Sequence, residues 1–308
     1  MKRRDFLKKG IGAGVAAGAL MRLGAASTNA FGSTADASKP YDLVAVLGGE
    51  PSEMFDKAIA AVGGMGKFVK KGQTVVVKPN IGWDTSPERG GDTNPHLVGR
   101  IIEHCFQAGA KDVFVFDNTC DEWGRCYKNS GIEDAVKSAG GKVVPGNTEN
   151  YYKPVSVPKG KKLTEAKVHE LILNSDVFIN VPVLKHHSSA KLTIAMKNLM
   201  GIVWDRRYWH RNDLHQCIAD FATWRKPDLN IIDAYRVMTR NGPRGVSEAD
   251  IVIKKSLILS TDMVAADAAA AKIFGSEPSS IPYIKIAHEM GVGNMNLEEL
   301  NIERIKVS

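Results

Sequence analysis

The 308-residue chain has only four cysteines, Cys105, Cys120, Cys126 and Cys217, and no two of them form a C-x-x-C pair. A ferredoxin-like cluster needs closely spaced thiolates, so no iron–sulfur motif lies within this chain. Cys120 and Cys126 flank a short polar loop, where an oxidising compartment permits a disulfide; two free thiols are the equal alternative. No apolar run approaches the roughly 20 residues of a membrane helix, so no stable membrane span is expected. A P-loop is missing as well. In Gly64-Met65-Gly66-Lys67 the leading glycine of G-x-x-x-x-G-K is replaced by Ala61, and no Ser or Thr follows the lysine. There is no G-x-S-x-G, which excludes the nucleophile elbow of α/β hydrolases. Lys/Arg blocks interleaved with aromatics are absent too, so no nucleic-acid partner is expected.

The net charge of +7 does not contradict this. Residues 1–30 hold six basic side chains and one acidic, and the remainder of the chain carries 35 basic against 33 acidic. Most of the excess sits in Lys2-Arg3-Arg4-Asp5-Phe6-Leu7-Lys8, the pattern of a twin-arginine export signal, followed by a soft Gly/Ala-rich stretch over 11–20. Small-residue cleavage sites occur at Thr28-Asn29-Ala30 and Ala35-Asp36-Ala37, and the sequence favours neither. The ordinary alternative, a basic amphipathic helix, fits the charged–apolar–small order poorly. The expectation is an export signal over 1–37, recognition by the twin-arginine translocase, and a periplasmic or otherwise extracytoplasmic single domain over 38–308.

From residue 41 onward, β-branched runs alternate with helical patterns. Strands are predicted over 43–47, 74–77, 113–116, 177–181, 229–232 and 258–259, with an edge strand over 302–307. Helices are predicted over 53–62, 95–108 (capped by Asn94), 132–139, 263–274 and 282–290. This order implies α/β architecture, a mostly parallel sheet flanked by helices. Residues 143–173, rich in Pro and Lys with short alternating runs, read as a small antiparallel insertion.

Ligands of open parallel sheets bind beyond the carboxyl ends of the strands. Here those ends are followed by Lys78-Pro79-Asn80, Asp117-Asn118-Thr119, Lys185-His186-His187 and Asp233. Each has a plain alternative: solvated strand ends and loops, a turn at Asn80, helix caps at Asp117 and Asp233. If they converge, Lys78, Lys185 and Lys197 supply positive potential, while Asn80, Asn118, Thr193 and Asn198 orient a small anionic ligand. The loop Asn241-Gly242-Pro243-Arg244-Gly245 offers backbone N–H groups and an arginine to an anion, or is only a turn. His187, Lys185 and Lys197 are the catalytic candidates. A divalent metal ion is the candidate cofactor, with His186, His187, His210, His215, Asp117 and Asp233 as candidate ligands. His210 and His215 are five apart, roughly 140° around a helix, so they do not form a single-helix metal pair. Lys197-Asn198 near a helix end, with Gly201 as stop, is either capping or a rim element.

These segments carry a resemblance. Val77-Lys78-Pro79-Asn80, Val181-Pro182-Val183-Leu184-Lys185-His186-His187, Thr193 with Met196-Lys197-Asn198-Leu199-Met200-Gly201, Asp233, Asn241-Gly242-Pro243 and Ala265-Ala266-Asp267 together resemble the domain-of-unknown-function family 362 over roughly 41–295. The resemblance implies this fold and these rim residues but no agreed reaction; some members look joined to ferredoxin-type modules, which this chain lacks. Two functions follow as expectations: an exported enzyme, metal-dependent in one form, acting on a small anion, or a non-catalytic binding or accessory protein for an envelope redox system with a redox partner protein.

Overall fold

Runs such as Val75-Val76-Val77 are apolar on both faces, which suits strands covered by helices on each side. In the computed structural model, which describes residue 36 and residues 38–308, they do form the centre of a ten-stranded sheet. The export signal predicted over 1–37 falls, apart from Asp36, outside the described residues.

The strands are β1 (Leu43–Leu47), β2 (Thr74–Pro79), β3 (Asp112–Val115), β4 (Lys142–Val143), β5 (Tyr152–Ser156), β6 (Glu165–His169), β7 (Val177–Val181), β8 (Val183–His187), β9 (Lys191–Thr193), β10 (Leu229–Met238), β11 (Ile251–Ser260) and β12 (Ile302–Lys306). The main sheet runs β12-β1-β11-β10-β7-β2-β3-β4, with β8 paired to β10 and β9. Its pairings are mostly parallel; β11 lies antiparallel between β1 and β10, and β8–β9 is a hairpin. β5 and β6 make a separate two-stranded antiparallel sheet, within the stretch that reads as different in the sequence.

Ten helices are described: α1 (Pro51–Ala61), α2 (Pro95–Gln107), α3 (Trp123–Asn129), α4 (Ile132–Ser138), α5 (Glu170–Asn174), α6 (Ala195–Asn198), α7 (Arg206–Arg211), α8 (Leu214–Ala222), α9 (Met263–Phe274) and α10 (Pro282–Glu289). α1, α2 and α4 cover one face of the sheet, where they pack on Val75, Val77 and Ile179. α6, α8, α9 and α10 cover the other, against Val76, Phe178 and Ile232. α2 starts where the sequence predicts: the Asn94 side chain accepts from His96 N at 3.0 Å, and Pro95 occupies the first turn. The six alanines of α9 let that helix lie close to β10 and β11.

Two elements differ from the sequence reading. β10 does not stop at Ile232 but continues to Met238, because Arg236, Val237 and Met238 pair with β11 past a register shift at Tyr235. Asp233 is therefore inside a strand rather than after one. Likewise Lys185-His186-His187 is not a loop: after Pro182 the chain resumes as β8, with Lys185 opposite Thr193 and His187 opposite Lys191. Among the described residues no helix is long and apolar enough to cross a membrane.

Candidate functional site

The face of the sheet that meets α6 and α9 turns polar at the carboxyl ends of the parallel strands. Lys78 follows Val76 on that face of β2, and Asn180 follows Phe178 on β7. Both are fully buried, so each needs partners. The partner is Asn198, carried in by the single turn of α6. Its Oδ1 accepts from Lys78 Nζ at 2.8 Å and Asn80 Nδ2 at 3.0 Å. Its Nδ2 donates to Asn180 Oδ1 at 2.9 Å and to the Lys78 carbonyl at 3.3 Å. Asn180 passes the chain on by donating to Asn230 Oδ1 at 3.0 Å. Buried amides thus link β2, β7 and β10 across one face.

Two lysines are fixed by this network. Lys78 Nζ also lies 2.9 Å from Asp117 Oδ1, and Asp117 Oδ2 accepts from Ile81 N at 2.7 Å. Lys185 Nζ donates to Asn80 Oδ1 at 2.8 Å and to the Gly91 carbonyl. Burial holds the pKa of Lys78 below its ordinary value, against the pull of Asp117. Lys185 is likewise lowered by burial while the buried Asp92 facing it is raised by the same cause, each partly restored by the other. Asp92 is otherwise held by Gly82 N at 2.7 Å and Trp83 N at 3.1 Å.

Lys197 differs from both. Its side chain is only half-buried, and its ammonium has no hydrogen-bond or ion-pair partner among the described residues. Burial, then the cations of Arg206, Lys185 and Lys78, push its pKa down to about 7; Cys120 acts in the opposite direction. The segment that presents it is anchored by Asp267 of α9, which accepts from Ala195 N at 2.7 Å and Met196 N at 3.2 Å. Burial raises the Asp267 carboxyl to about 8. Arg206 closes the other side. Its guanidinium donates to the carbonyls of Asn118 at 2.7 Å and Thr119 at 2.8 Å, with Nη1 3.7 Å from the exposed Cys120 thiol. The basket therefore holds four cationic side chains, Lys78, Lys185, Lys197 and Arg206, against the carboxylates of Asp117 and Asp92.

Gly201 is part of this geometry. It is not the helix stop that the sequence suggests; the chain runs through it in a 3₁₀ turn over Leu199–Ile202. A Cβ there would lie 1.8 Å from Asp117 Oδ1 and 2.5 Å from Lys78 Nζ. Only a residue without a side chain lets this turn close over the ion pair.

The histidines take defined tautomers. His187 Nδ1 accepts from Ser189 N and Ala190 N, both at 3.1 Å, and His186 Nδ1 accepts from Gly242 N at 3.0 Å. A neutral ring that accepts at Nδ1 carries its proton on Nε2. Burial, then Lys197 and Lys185, push the His187 pKa down to about 2, so it stays neutral and is a donor, not a proton-accepting base, at neutral pH. His210 of α7 stacks beside His187 with ring centroids 6.2 Å apart, whereas His215 stacks on Tyr283 at 6.1 Å. They belong to different helices, α7 and α8, separated by the Asp213 cap.

The six candidate metal ligands accordingly do not meet. Asp233 accepts from Asn94 N at 2.8 Å and Tyr235 N at 3.0 Å, a staple between β10 and the start of α2. Asp117 serves Lys78, and His215 is elsewhere. Metal ligation at Nε2 of His186 or His187 requires the proton to move to Nδ1, which already accepts backbone N–H groups. Among the described residues no group of three His, Cys, Asp or Glu side chains is placed to hold a metal ion. These donors do not fit a metal.

The glycine-bracketed loop also departs from its sequence reading. Two of its N–H groups are already taken: Gly242 N donates to His186 Nδ1 and Gly245 N to the Asn241 carbonyl, both at 3.0 Å, while Asn241 Nδ2 donates to Asp250 at 2.7 Å. Arg244 pairs with Asp121 at 3.3 Å and lies over the Trp83 ring. Thr193 is buried opposite Lys185 on the β8–β9 hairpin. Asn118 donates to the Val203 carbonyl at 2.9 Å and, with Arg206, lines an adjoining cleft of about 830 Å³ between β5–β6 and α7. Cys120 and Cys126 are free thiols, the first exposed and the second buried. The sequence reading does not single out Asp92, Arg206, Asn180 or Asn230, and it names Asp267 only within the resemblance. Only Asn180 and Asp267 carry a signal, as lone polar residues inside apolar stretches.

Residues 75–272 match the family described as Domain of unknown function (DUF362). The chain is 26% identical over 240 residues, 75% of its length and 72% of the relative's, to the thylakoid-associated protein sll1697 of Synechocystis sp.. Among solved structures it is similar to the lactate racemase apoprotein of Thermoanaerobacterium thermosaccharolyticum, with a TM-score of 0.45 and 12% identity over 80% of this chain. It spans 56% of that chain's length.

Proposed function

The chain belongs to the DUF362 family, a family that supplies no reaction, and from the basket itself we propose that this protein binds a small anion, a carboxylate or phosphate, against Lys197. The observation that carries this reading is that, among the described residues, Lys197 alone of the four basket cations has no partner, while the other three are fixed by carboxylate, amide or carbonyl groups. An anion at its ammonium offsets the local excess of positive charge. Lys78, Asn80, Asn198 and Lys185 hold the frame. A charge-assisted hydrogen bond of this kind is worth about 1.5–3 kcal/mol, roughly one to two orders of magnitude in affinity.

The test is calorimetric titration of the protein with sulfate, phosphate and propionate. Saturable binding at one site, weakened about tenfold or more in Lys197→Met, supports the reading. Wild-type protein that binds none of them at millimolar concentration overturns it. We further propose that the Lys2-Arg3-Arg4 segment directs export of the folded protein. Cell fractionation in which replacing Arg3 and Arg4 by lysine leaves the distribution unchanged would contradict that.

A further inference from the structure

The free lysine allows more than anion binding. Lys78 comes from β2, Lys185 and His187 from β8, Arg206 and His210 from α7, and Cys120 from the segment after β3. These are the titratable and charged groups facing Lys197. Partial burial and these cations favour the neutral amine of Lys197 over the ammonium. An amine surrounded by cations, half-buried and, among the described residues, with no hydrogen bond holding its lone pair or its protons, is a nucleophile. The same cations attract a carboxylate. A ligand that answers both features has an anionic group and an electrophilic carbonyl next to each other.

We infer that Lys197 captures a small α-oxo carboxylate as an imine. This rests on the anion reading above and deepens it. In the step, the Lys197 nitrogen attacks the keto carbon and a C–N bond forms as the carbonyl π pair moves to oxygen. That oxygen receives the two protons given up by the amine and leaves as water, and the nitrogen lone pair closes the C=N bond. No electrons enter or leave, so no oxidant or reductant is needed. Lys78 and Lys185 cannot take this role, since their ammonium groups are buried and hydrogen-bonded to Asn198, Asn80 and Gly91.

The experiment incubates the full chain with pyruvate and sodium cyanoborohydride at neutral pH and maps carboxyethyl-lysine by peptide mass spectrometry. The expected result is modification at Lys197 about tenfold or more above that at exposed lysines such as Lys57 and Lys159, and suppression by excess propionate. In Lys197→Arg the preferred site disappears while the exposed lysines react as before. Even modification of all lysines, or none, while calorimetry shows propionate bound, overturns the imine and leaves the anion site standing. Absence of both trapping and propionate binding overturns both. The wild-type map decides the matter even where the variant fails to fold.

Discussion

Gly201→Ala isolates the packing on which the basket depends. The added methyl would lie 1.8 Å from Asp117 Oδ1, 2.5 Å from Lys78 Nζ and 2.7 Å from Lys78 Cε. None of the three is the loose end of an exposed side chain; all belong to groups buried almost completely. The turn must therefore lift or the ion pair must part. Overpacking a core by one methyl costs about 1–3 kcal/mol. Separating a buried pair costs about 3–5 kcal/mol, because each charge is left without compensation. The two routes relieve the same contact and are not summed. The cheaper route sets the cost, so a loss of about 1–3 kcal/mol is expected, a drop in melting temperature of roughly 3–10 °C for a domain of this size. Calorimetric melting of the variant beside Gly66→Ala checks it. A Cβ at Gly66 meets nothing within 4 Å, so that control is expected within about 0.5 kcal/mol of wild type. A Gly201→Ala protein that melts with the wild type would refute the close approach and the pairing of Lys78 with Asp117 beneath it.

Asn198→Ala leaves Lys78 Nζ, Asn80 Nδ2 and Asn180 Oδ1 short of a partner; a loss of about 2–4 kcal/mol by urea unfolding is expected, and one under about 1 kcal/mol would contradict the buried network. Asp267→Ala removes the acceptor of two N–H groups of α6, so weaker anion binding is expected alongside lower stability, read by calorimetry and melting. His187 is neutral when folded, its pKa about 2 against an unfolded value near 6.5. The unfolded chain takes up that proton as pH falls below about 6.5 and the folded one does not, so this stabilisation is present above the unfolded value and lost on acidification. The unfolding free energy should fall by about 1.4 kcal/mol per pH unit more in wild type than in His187→Asn between pH 6 and 4; equal slopes would count against the locked tautomer. Anion affinity should weaken as pH rises past the Lys197 value of about 7, and a plateau to pH 9 would show that this lysine is not the receiving cation.

How much of this was legible in the sequence varies with how local the cause is. Valine-rich strands, the Asn94–Pro95 helix start and the alternating runs that become β5 and β6 are set by neighbours within a few residues, and all stand where their patterns place them. Lys185-His186-His187 reads as a polar loop because strand pairing with β9 and β10 is invisible along the chain. Asp233 reads as a strand end for the same reason: what uses its carboxylate is Asn94 N, far away in sequence. Gly201 carries both readings, stop and close contact, and only the distance to Asp117 separates them. Asn180 was the missed clue. A single amide on the covered face of an all-apolar strand has to be bonded to something, and following that requirement leads through Asn198 to Lys78 and Lys197.

A crystal of the protein grown in selenate, with data collected at the selenium edge, locates the anion without any assumption about the ligand. The basket described here predicts an anomalous peak within hydrogen-bond distance of Lys197 Nζ. Peaks confined to surface lysines, with Lys197 bare in the same crystal, would contradict it.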